Sequence, residues 1–336
     1  MRGVLFHGER RVEVATLPDP TPGPHDVILE MRASGMCGSD LHAYRGPHLA
    51  DPFVAGHEPA GVIVEVGSDV STSWIGKSVM VHHYFGCGRC DQCRSGWTQM
   101  CREGSVAMGT GANGAHSDLI SVPFNTVMPM PEGLTYLAAA AVSCGTGTAW
   151  RALKRLNLAA DDTLAIFGQG PVGLAATQLA TAMGARVVAM DISETRLERA
   201  KEFGAWESID PSQVGSVADT IRDLNNGIGV SKSLETSGAS SAAVDVLNVL
   251  DTWGQACWVG VGSTINFRLT DHLYRQVSGF ASWTMSVPDM MSCARFIVDR
   301  GVDVDSLFTE RWTLADAVRA YELFDQQAVG KGAFLS

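Results

Sequence analysis

The stretch Thr163-Leu164-Ala165-Ile166-Phe167-Gly168-Gln169-Gly170-Pro171-Val172-Gly173 decides the fold. An apolar run of strand length leads straight into three glycines at Gly-x-Gly-x-x-Gly spacing. Such spacing is weak by itself. Here a helical stretch follows to about Met183, opened by Pro171 where a missing N–H costs little, and then a second strand, Arg186–Met190. Asp191 closes that strand, eighteen residues past Gly173. Strand, glycine turn, helix, strand and acid together predict a dinucleotide fold. Gly168 permits the tight turn, Gly170 lets the backbone approach a pyrophosphate, and Gly173 lets helix and strand pack closely. The helix start at Pro171 and Val172 offers oriented N–H donors to the phosphates. Asp191 would accept from the adenosine ribose hydroxyls and repel a 2′-phosphate, which favours NAD(H) over NADP(H). Arg196 lies near enough to reach a phosphate, but on a helix beginning at Ser193 its plainer fate is solvent or a nearby Glu.

Downstream the alternation continues, with strands expected at 206–209, 231–235 and 256–260 and helices near 214–225 and 242–250, which sums to a doubly wound parallel sheet. Thr236-Ser237-Gly238 and Val259-Gly260-Val261-Gly262 fall at strand ends, where nucleotides bind. After residue 285 a helix at 289–300, a short strand, a helix at 314–324 and a strand at 333–335 are expected. Upstream the texture differs. Apolar runs at 4–16, 26–34, 60–67 and 79–83, broken by Pro18, Pro20, Pro22, Gly23 and Pro24, make the first 125 residues mostly β. Between the two textures lie an alanine-rich helix at 137–142, the turn Ser143-Cys144-Gly145-Thr146-Gly147-Thr148, and an amphipathic helix at 149–158 carrying Trp150, Leu153 and Leu156 on one side.

Two side-chain constellations carry chemistry. Cys87, Cys90, Cys93 and Cys101 are spaced to close a tetrahedron of thiolates around one Zn²⁺, leaving no open position, so their role is structural. No basic recognition helix follows them, as a DNA-binding finger would need, and no thioredoxin-like βαβ surrounds them. The second set is Cys37 with His57-Glu58: a thiolate, an imidazole and a carboxylate in one turn-rich segment, a zinc-ligand set with a position left for substrate or water. A lone Cys or His is more often a buried hydrophobe or a bonded loop residue; here the lobe, the glycine turn and a further Cys144 argue for metal.

At 336 residues, two domains are expected. Apolar residues make up 46% and charged ones 18%, the balance of a globular protein, and 25 Lys plus Arg stand against 36 Asp plus Glu for a net charge of −11. An acidic chain without a basic run suits neither nucleic acid nor an anionic membrane. Met1 to Gly8 enter a strand pattern with no apolar signal core, and no apolar stretch is long enough to cross a bilayer, so a cytoplasmic protein is expected, in which clustered cysteines read as metal ligands rather than disulfides.

In this order, Cys37, His57-Glu58, the four-cysteine lobe, Cys144, Gly168 to Gly173 and Asp191, the chain resembles the zinc-dependent alcohol dehydrogenases of the medium-chain dehydrogenase/reductase superfamily over essentially its whole length. The resemblance implies an α/β protein: a β-rich, GroES-like catalytic domain from 1–140 and 285–336, with a doubly wound Rossmann domain of parallel sheet, 141–284, inserted. It implies two Zn²⁺ per subunit, NAD as cofactor with NADP less favoured, and a hydride passed to or from a small alcohol, polyol or carbonyl compound by a homodimer or homotetramer.

Carried over residue by residue, Cys37, His57 and Cys144 look like the catalytic zinc ligands and Glu58 like the acid beside the metal that exchanges with water. Relatives acting on polyols or threonine often lack the third cysteine and lean on glutamate; this chain offers both. Asp40 resembles the acid that holds the zinc histidine, Ser39 the hydroxyl that takes the substrate's proton, and His42 the imidazole that passes it to solvent by way of the cofactor ribose. Thr148 resembles the residue packing the nicotinamide, and Val259 is expected at the cofactor. Gly38 departs from relatives with an arginine there, which shifts the pyrophosphate onto the helix terminus and Lys331. His48, His83, Tyr84, Trp283 and Met285 fall where such enzymes line their pocket, although Trp283 and Met285 also read as packing. The rivals are an NADP-dependent aldehyde or ketone reductase of the same superfamily, a zinc-free quinone or enoyl reductase, which would lack the ligands, and a non-catalytic NAD-binding zinc protein.

Overall fold

Asp26–Gly35, ten residues with Val27, Ile28, Leu29, Met31 and Ala33 all buried, is the strand on which the first 147 residues assemble. It lies between neighbours on both sides, which is why its apolar run is nearly continuous rather than alternating. The sheet order is Val127–Pro129, Ser78–Val81, Glu58–Val66, Asp26–Gly35, Lys331–Leu335, Phe308–Trp312, and Leu119–Pro123 also pairs with Asp26–Gly35. All of these pairs are antiparallel except Phe308–Trp312 with Lys331–Leu335. A smaller sheet joins Arg11–Thr16, Arg2–Gly8 and Phe53–Val54.

The structure, a computed structural model, describes residues 1–326 and 330–336. The chain divides into two compact units, Met1–Gly147 with Met285–Ser336, and Thr148–Thr284. In the first, the returning carboxy-terminal segment is held by a shared core: Phe6, Met36, Leu41 and Tyr44 pack with Leu314, Tyr321, Phe324 and Phe334. Helix Val287–Arg300 is fixed at its start by Ser286 and Asp289, whose side chains reciprocally bond the backbone N–H groups, and ends on Gly301 at φ 62°.

The second unit is a six-stranded parallel sheet in the order Glu207–Ile209, Arg186–Met190, Thr163–Phe167, Val230–Glu235, Leu250–Trp258, Ser278–Ala281. The order reverses between Thr163–Phe167 and Val230–Glu235, the switch point at which doubly wound sheets take their ligands. Helices Pro171–Met183, Glu194–Glu202, Val217–Leu224 and Ser240–Asn248 connect the strands.

Several element bounds differ from expectation, among them strand Leu250–Trp258 where 256–260 is expected, and three have local reasons. The helix expected at 149–158 runs Gly145–Arg155, because Gly147 is a close-packed position, where a Cβ would lie 2.4 Å from the Val142 carbonyl, rather than a breaker. The strand expected to reach His83 ends at Val81: beyond it the His82 N–H bonds the Thr126 carbonyl, just outside partner strand Val127–Pro129, and the His83 carbonyl accepts from Met108 N–H, while the two rings are tied to the Met285 and Ser143 carbonyls. The helix expected from Val214 begins at Val217, where Ser216 accepts from Asp219 N–H as its cap.

Candidate active site

Cys87, Cys90, Cys93 and Cys101 are gathered by one short segment, and their sulfurs lie within 4.8 Å of one another. Main-chain N–H groups point at them: Cys87 N is 3.3 Å from Cys101 Sγ, Cys90 N 3.4 Å from Cys87 Sγ, and Cys93 N 3.5 Å from Cys90 Sγ. Such donors favour thiolates. The Cys90 thiol is lowered to about 6, first by a bond from the Arg102 backbone, whereas burial pushes Cys93 up to about 12. Ion pairs of Arg89 with Glu103 and Arg102 with Asp91 brace the segment. Four sulfurs without a disulfide fit a tetrahedral zinc.

The second gathering draws on three distant segments. Cys37 follows strand Asp26–Gly35, His57 and Glu58 open Glu58–Val66, and Cys144 sits between helices Tyr136–Val142 and Gly145–Arg155. Their ligand atoms also lie within 4.8 Å of one another. The antiparallel register sets Gly35 opposite Glu58, and a Cβ on Gly35 would come 2.1 Å from Glu58 Oε2, so the glycine makes room for the carboxylate. Asp40 opens helix Asp40–Arg45 and accepts from Cys37 N at 2.9 Å and from His57 Nδ1 at 2.8 Å.

The electrostatics are those of a site prepared for a cation. The Cys37 thiol is held well below its ordinary range, first by a hydrogen bond from the Cys144 thiol and then by the His57 charge, while Cys144 is pushed up by the same bond and by burial. Burial works against the His57 imidazolium, yet Asp40 and Cys37 beside it raise its pKa well above the usual value. Burial lifts Glu58 to about 7 against the pull of Lys331. Glu58 Oε1 is buried without a partner. Two sulfurs, an imidazole nitrogen and a carboxylate oxygen around one point fit zinc in both donor type and number.

In the second unit, Gly168 takes φ 90°, and a Cβ on Gly173 would fall 1.8 Å from the Gly168 carbonyl oxygen, so only glycine lets that helix start sit on the strand. A Cβ on Gly170 would meet nothing within 4 Å, leaving space in front of the helix start at Pro171. Asp191 Oδ2 accepts from Gln169 N at 2.6 Å and Oδ1 from Ser193 N at 2.9 Å, so the acid also braces the glycine turn. A cavity of about 720 Å³, lined by Ile192, Pro211, Ser212, Ser216 and Arg275 among others, adjoins it.

Comparison with known proteins agrees with this geometry. The Alcohol dehydrogenase GroES-like domain family matches residues 23–132 and the Zinc-binding dehydrogenase family residues 171–299. The chain is 31% identical to the uncharacterised zinc-type alcohol dehydrogenase-like protein YphC of Escherichia coli strain K12, over 98% of this chain and 97% of that one. It belongs to the zinc-dependent alcohol dehydrogenase family. The sorbitol dehydrogenase of Bacillus subtilis strain 168 is 30% identical over 96% of this chain and 93% of its own. Alcohol dehydrogenase TADH from Thermus sp. ATN1 superposes with a TM-score of 0.93 at 27% identity, covering 100% of this chain and 99% of that one. The dehydrogenase is thus an oxidoreductase of the medium-chain superfamily, with a GroES-like unit and a Rossmann unit.

Several residues of this dehydrogenase sit otherwise than the sequence suggests. Lys331 does not project toward a pyrophosphate: its ammonium is buried, donating to Glu58 Oε2 at 2.5 Å and to the Met36 carbonyl at 3.1 Å. Arg196 reaches Asp191 itself, at 3.8 Å. Met285 is fully buried against Gly147, which makes it packing, whereas Trp283 and His48 are exposed. His83 is buried with its ring 5.2 Å from that of His57, and the Tyr84 ring lies tilted against it at 4.6 Å. Ser39 Oγ lies 3.2 Å from Cys37 Sγ and 3.3 Å from His57 Nε2, while His42 is exposed on the next helical turn. Thr148 is buried in helix Gly145–Arg155, and Val259, just past strand Leu250–Trp258, donates its N–H to the Glu235 carbonyl. Tyr321 and His116, buried beside Asp40, went unnoticed in the sequence because neither has ligand spacing. Among the described residues no helix is long and apolar enough to cross a membrane.

Proposed function

We propose that this dehydrogenase passes a hydride between a small secondary alcohol or polyol, or the matching ketone or aldehyde, and NAD(H). The observation that carries the reading is the meeting of the Cys37, His57, Glu58 and Cys144 donor atoms at one point with the Ser39 hydroxyl against it. Cys37, His57 and either Cys144 or Glu58 would hold a zinc ion, which supplies the Lewis acidity that brings a hydroxyl's pKa toward neutrality. Ser39 Oγ takes the substrate proton and exposed His42 releases it to solvent. Asp40 accepts from His57 Nδ1, which fixes the tautomer and leaves Nε2 to the metal. Lys331 holds Glu58 Oε2 and leaves Oε1 available. Cys87, Cys90, Cys93 and Cys101 would hold a second, structural zinc.

The dinucleotide belongs to the second unit, where Gly168, Gly170, Gly173 and the helix start at Pro171 and Val172 would take the pyrophosphate. Asp191 and the cavity beside Ile192 would take the adenosine, Thr148 and Val259 the nicotinamide side, and NAD when bound supplies the hydride acceptor. The relation to a sorbitol dehydrogenase supports a polyol. Arg196 beside Asp191 is the observation that favours NADP(H), and the Asp191 carboxylate outweighs it because a 2′-phosphate would face that charge. Exposed Trp253, Val261, Leu269 and Tyr274, with the sheet's edge strand Ser278–Ala281, support a homo-oligomer, which light scattering tests.

The deciding experiment is a panel of secondary alcohols and polyols offered with NAD and with NADP, alongside metal analysis. Two zinc ions per chain and a polyol-dependent rise in NADH absorbance are expected. A chain without zinc that turns over as fast as the zinc form would end the proposal.

A further inference from the structure

A file of buried hydrogen bonds leads away from His57 into the first unit. Beyond the 2.8 Å contact of His57 Nδ1 with Asp40 Oδ1, Tyr321 Oη lies 3.2 Å from Asp40 Oδ2, His116 Nε2 lies 2.8 Å from Tyr321 Oη, and Ser34 Oγ lies 2.6 Å from His116 Nδ1. The five residues come from strand Asp26–Gly35, helix Asp40–Arg45, two loops and helix Ala317–Asp325, and all are buried.

The direction of every bond follows from the chemistry of the groups. An ionised carboxylate only accepts, so Tyr321 gives its single O–H to Asp40. The tyrosine oxygen must then accept from His116, whose proton therefore sits on Nε2. Nδ1 of His116 is left bare and accepts the Ser34 hydroxyl. Burial, which lowers His116 to about 4, agrees with a neutral ring. Every dipole points toward Asp40. The file ends at Ser34, only 2% exposed, so it offers no way out for a proton and its effect is orientation. His116 also acts by contact: a Cβ on Gly56, the residue before His57, would lie 2.4 Å from His116 Nδ1, so the ring seats directly against that backbone.

We infer that Tyr321 and His116 are positioning residues for the catalytic metal centre: they hold the Asp40 carboxylate in one orientation and, through it, the plane and tautomer of His57. The inference rests on the reading of Cys37, His57 and Cys144 as zinc ligands. Three donors on Asp40, from His57, Cys37 N and Tyr321, restrain both of its oxygens, and removing one loosens the group that aims the imidazole.

The test uses the zinc-loaded enzyme and a chromogenic chelator, following release of the two zinc ions in the native chain, Tyr321→Phe, His116→Leu and His116→Gln. Tyr321→Phe keeps the ring that packs on Phe6 and Phe334 and deletes one oxygen. It should release the catalytic zinc about tenfold more readily, at the low end of the effect of removing a metal ligand's hydrogen-bond partner, with the four-cysteine zinc unchanged. The visible absorption of the cobalt-substituted centre should shift with it. His116→Leu should behave alike and His116→Gln, which keeps a donor toward Tyr321, should recover most of the retention. A folded Tyr321→Phe with native zinc retention and native cobalt spectrum overturns the inference; if that variant does not fold, equal behaviour of the Leu and Gln variants does so. A native chain that takes up one zinc only would overturn the metal-centre reading itself.

Discussion

The two gatherings of metal-type side chains are built in opposite ways. Cys87 to Cys101 form a local set: four like donors from one segment, aimed by main-chain N–H groups of that same segment and braced by ion pairs with neighbours in sequence. Cys37, His57, Glu58 and Cys144 form an assembled set: mixed donors from three segments, surrounded by Asp40, Lys331 and Tyr321, which arrive from both ends of the unit. A local all-sulfur set closes on its metal and stays closed. An assembled set with a spare carboxylate oxygen keeps room for a reacting group.

The strongest attempt to break this contrast is Cys37→Ala or His57→Ala. Either should lower kcat by at least ~10³-fold, corresponding to the several kcal/mol that a Lewis acid contributes, while NAD binding, read by quenching of tryptophan fluorescence, stays near native and one zinc remains. Cys90→Ser should do the reverse, costing about 3 kcal/mol of stability and lowering the thermal midpoint by about 6–12 °C, since it opens a structural site. Activity surviving in Cys37→Ala, or a native melting curve in Cys90→Ser, would erase the distinction.

Acid sharpens it further. In the metal-free assembled set, His57 and Cys144 have raised pKa values, so below those values both hold protons that zinc must displace. Zinc uptake there should release protons into a weakly buffered solution, and affinity should fall up to ~10-fold per pH unit per displaced proton as pH drops. An affinity independent of pH would contradict the protonated pair. The smallest effect is expected in the other unit, where Arg196→Glu removes a partly exposed cation beside Asp191 and should raise the preference for NAD over NADP about fivefold, the scale of an exposed ion pair, in paired kcat/KM measurements.

Local information explains what the sequence shows of this molecule. Thr163–Phe167, Pro171–Met183 and Arg186–Met190 are legible to the residue because hydrophobic period, a proline at N1 and a left-handed glycine at Gly184 act within a few positions. The members of both candidate metal sets are legible by residue type and spacing. Their surroundings are not: Tyr321 meets Asp40 across 281 positions and Lys331 meets Glu58 across 273. A tyrosine on an amphipathic helix reads as core, and Lys331 reads as a pyrophosphate contact, until the sheet brings Lys331–Leu335 against Asp26–Gly35. The start of helix Gly145–Arg155 lies four residues ahead of the expected 149 for a related reason, since Gly147 serves a contact with Val142 and Met285 that spacing does not encode.

The pairing of Lys331–Leu335 with Asp26–Gly35 has a consequence for how the molecule is made. During translation Cys144 leaves the ribosome 187 residues ahead of Lys331, 331 minus 144, which at about 5–20 residues per second is a wait of roughly 10–40 s. Through that interval the four cysteines and the N–H groups aimed at them are already in place in one segment, while Glu58 lacks its ammonium partner and Asp40 its phenol. A nascent chain arrested before Tyr321 should therefore carry one zinc and no second, so that metal loading is expected in two acts, one as the chain emerges and one only once strand Lys331–Leu335 is home.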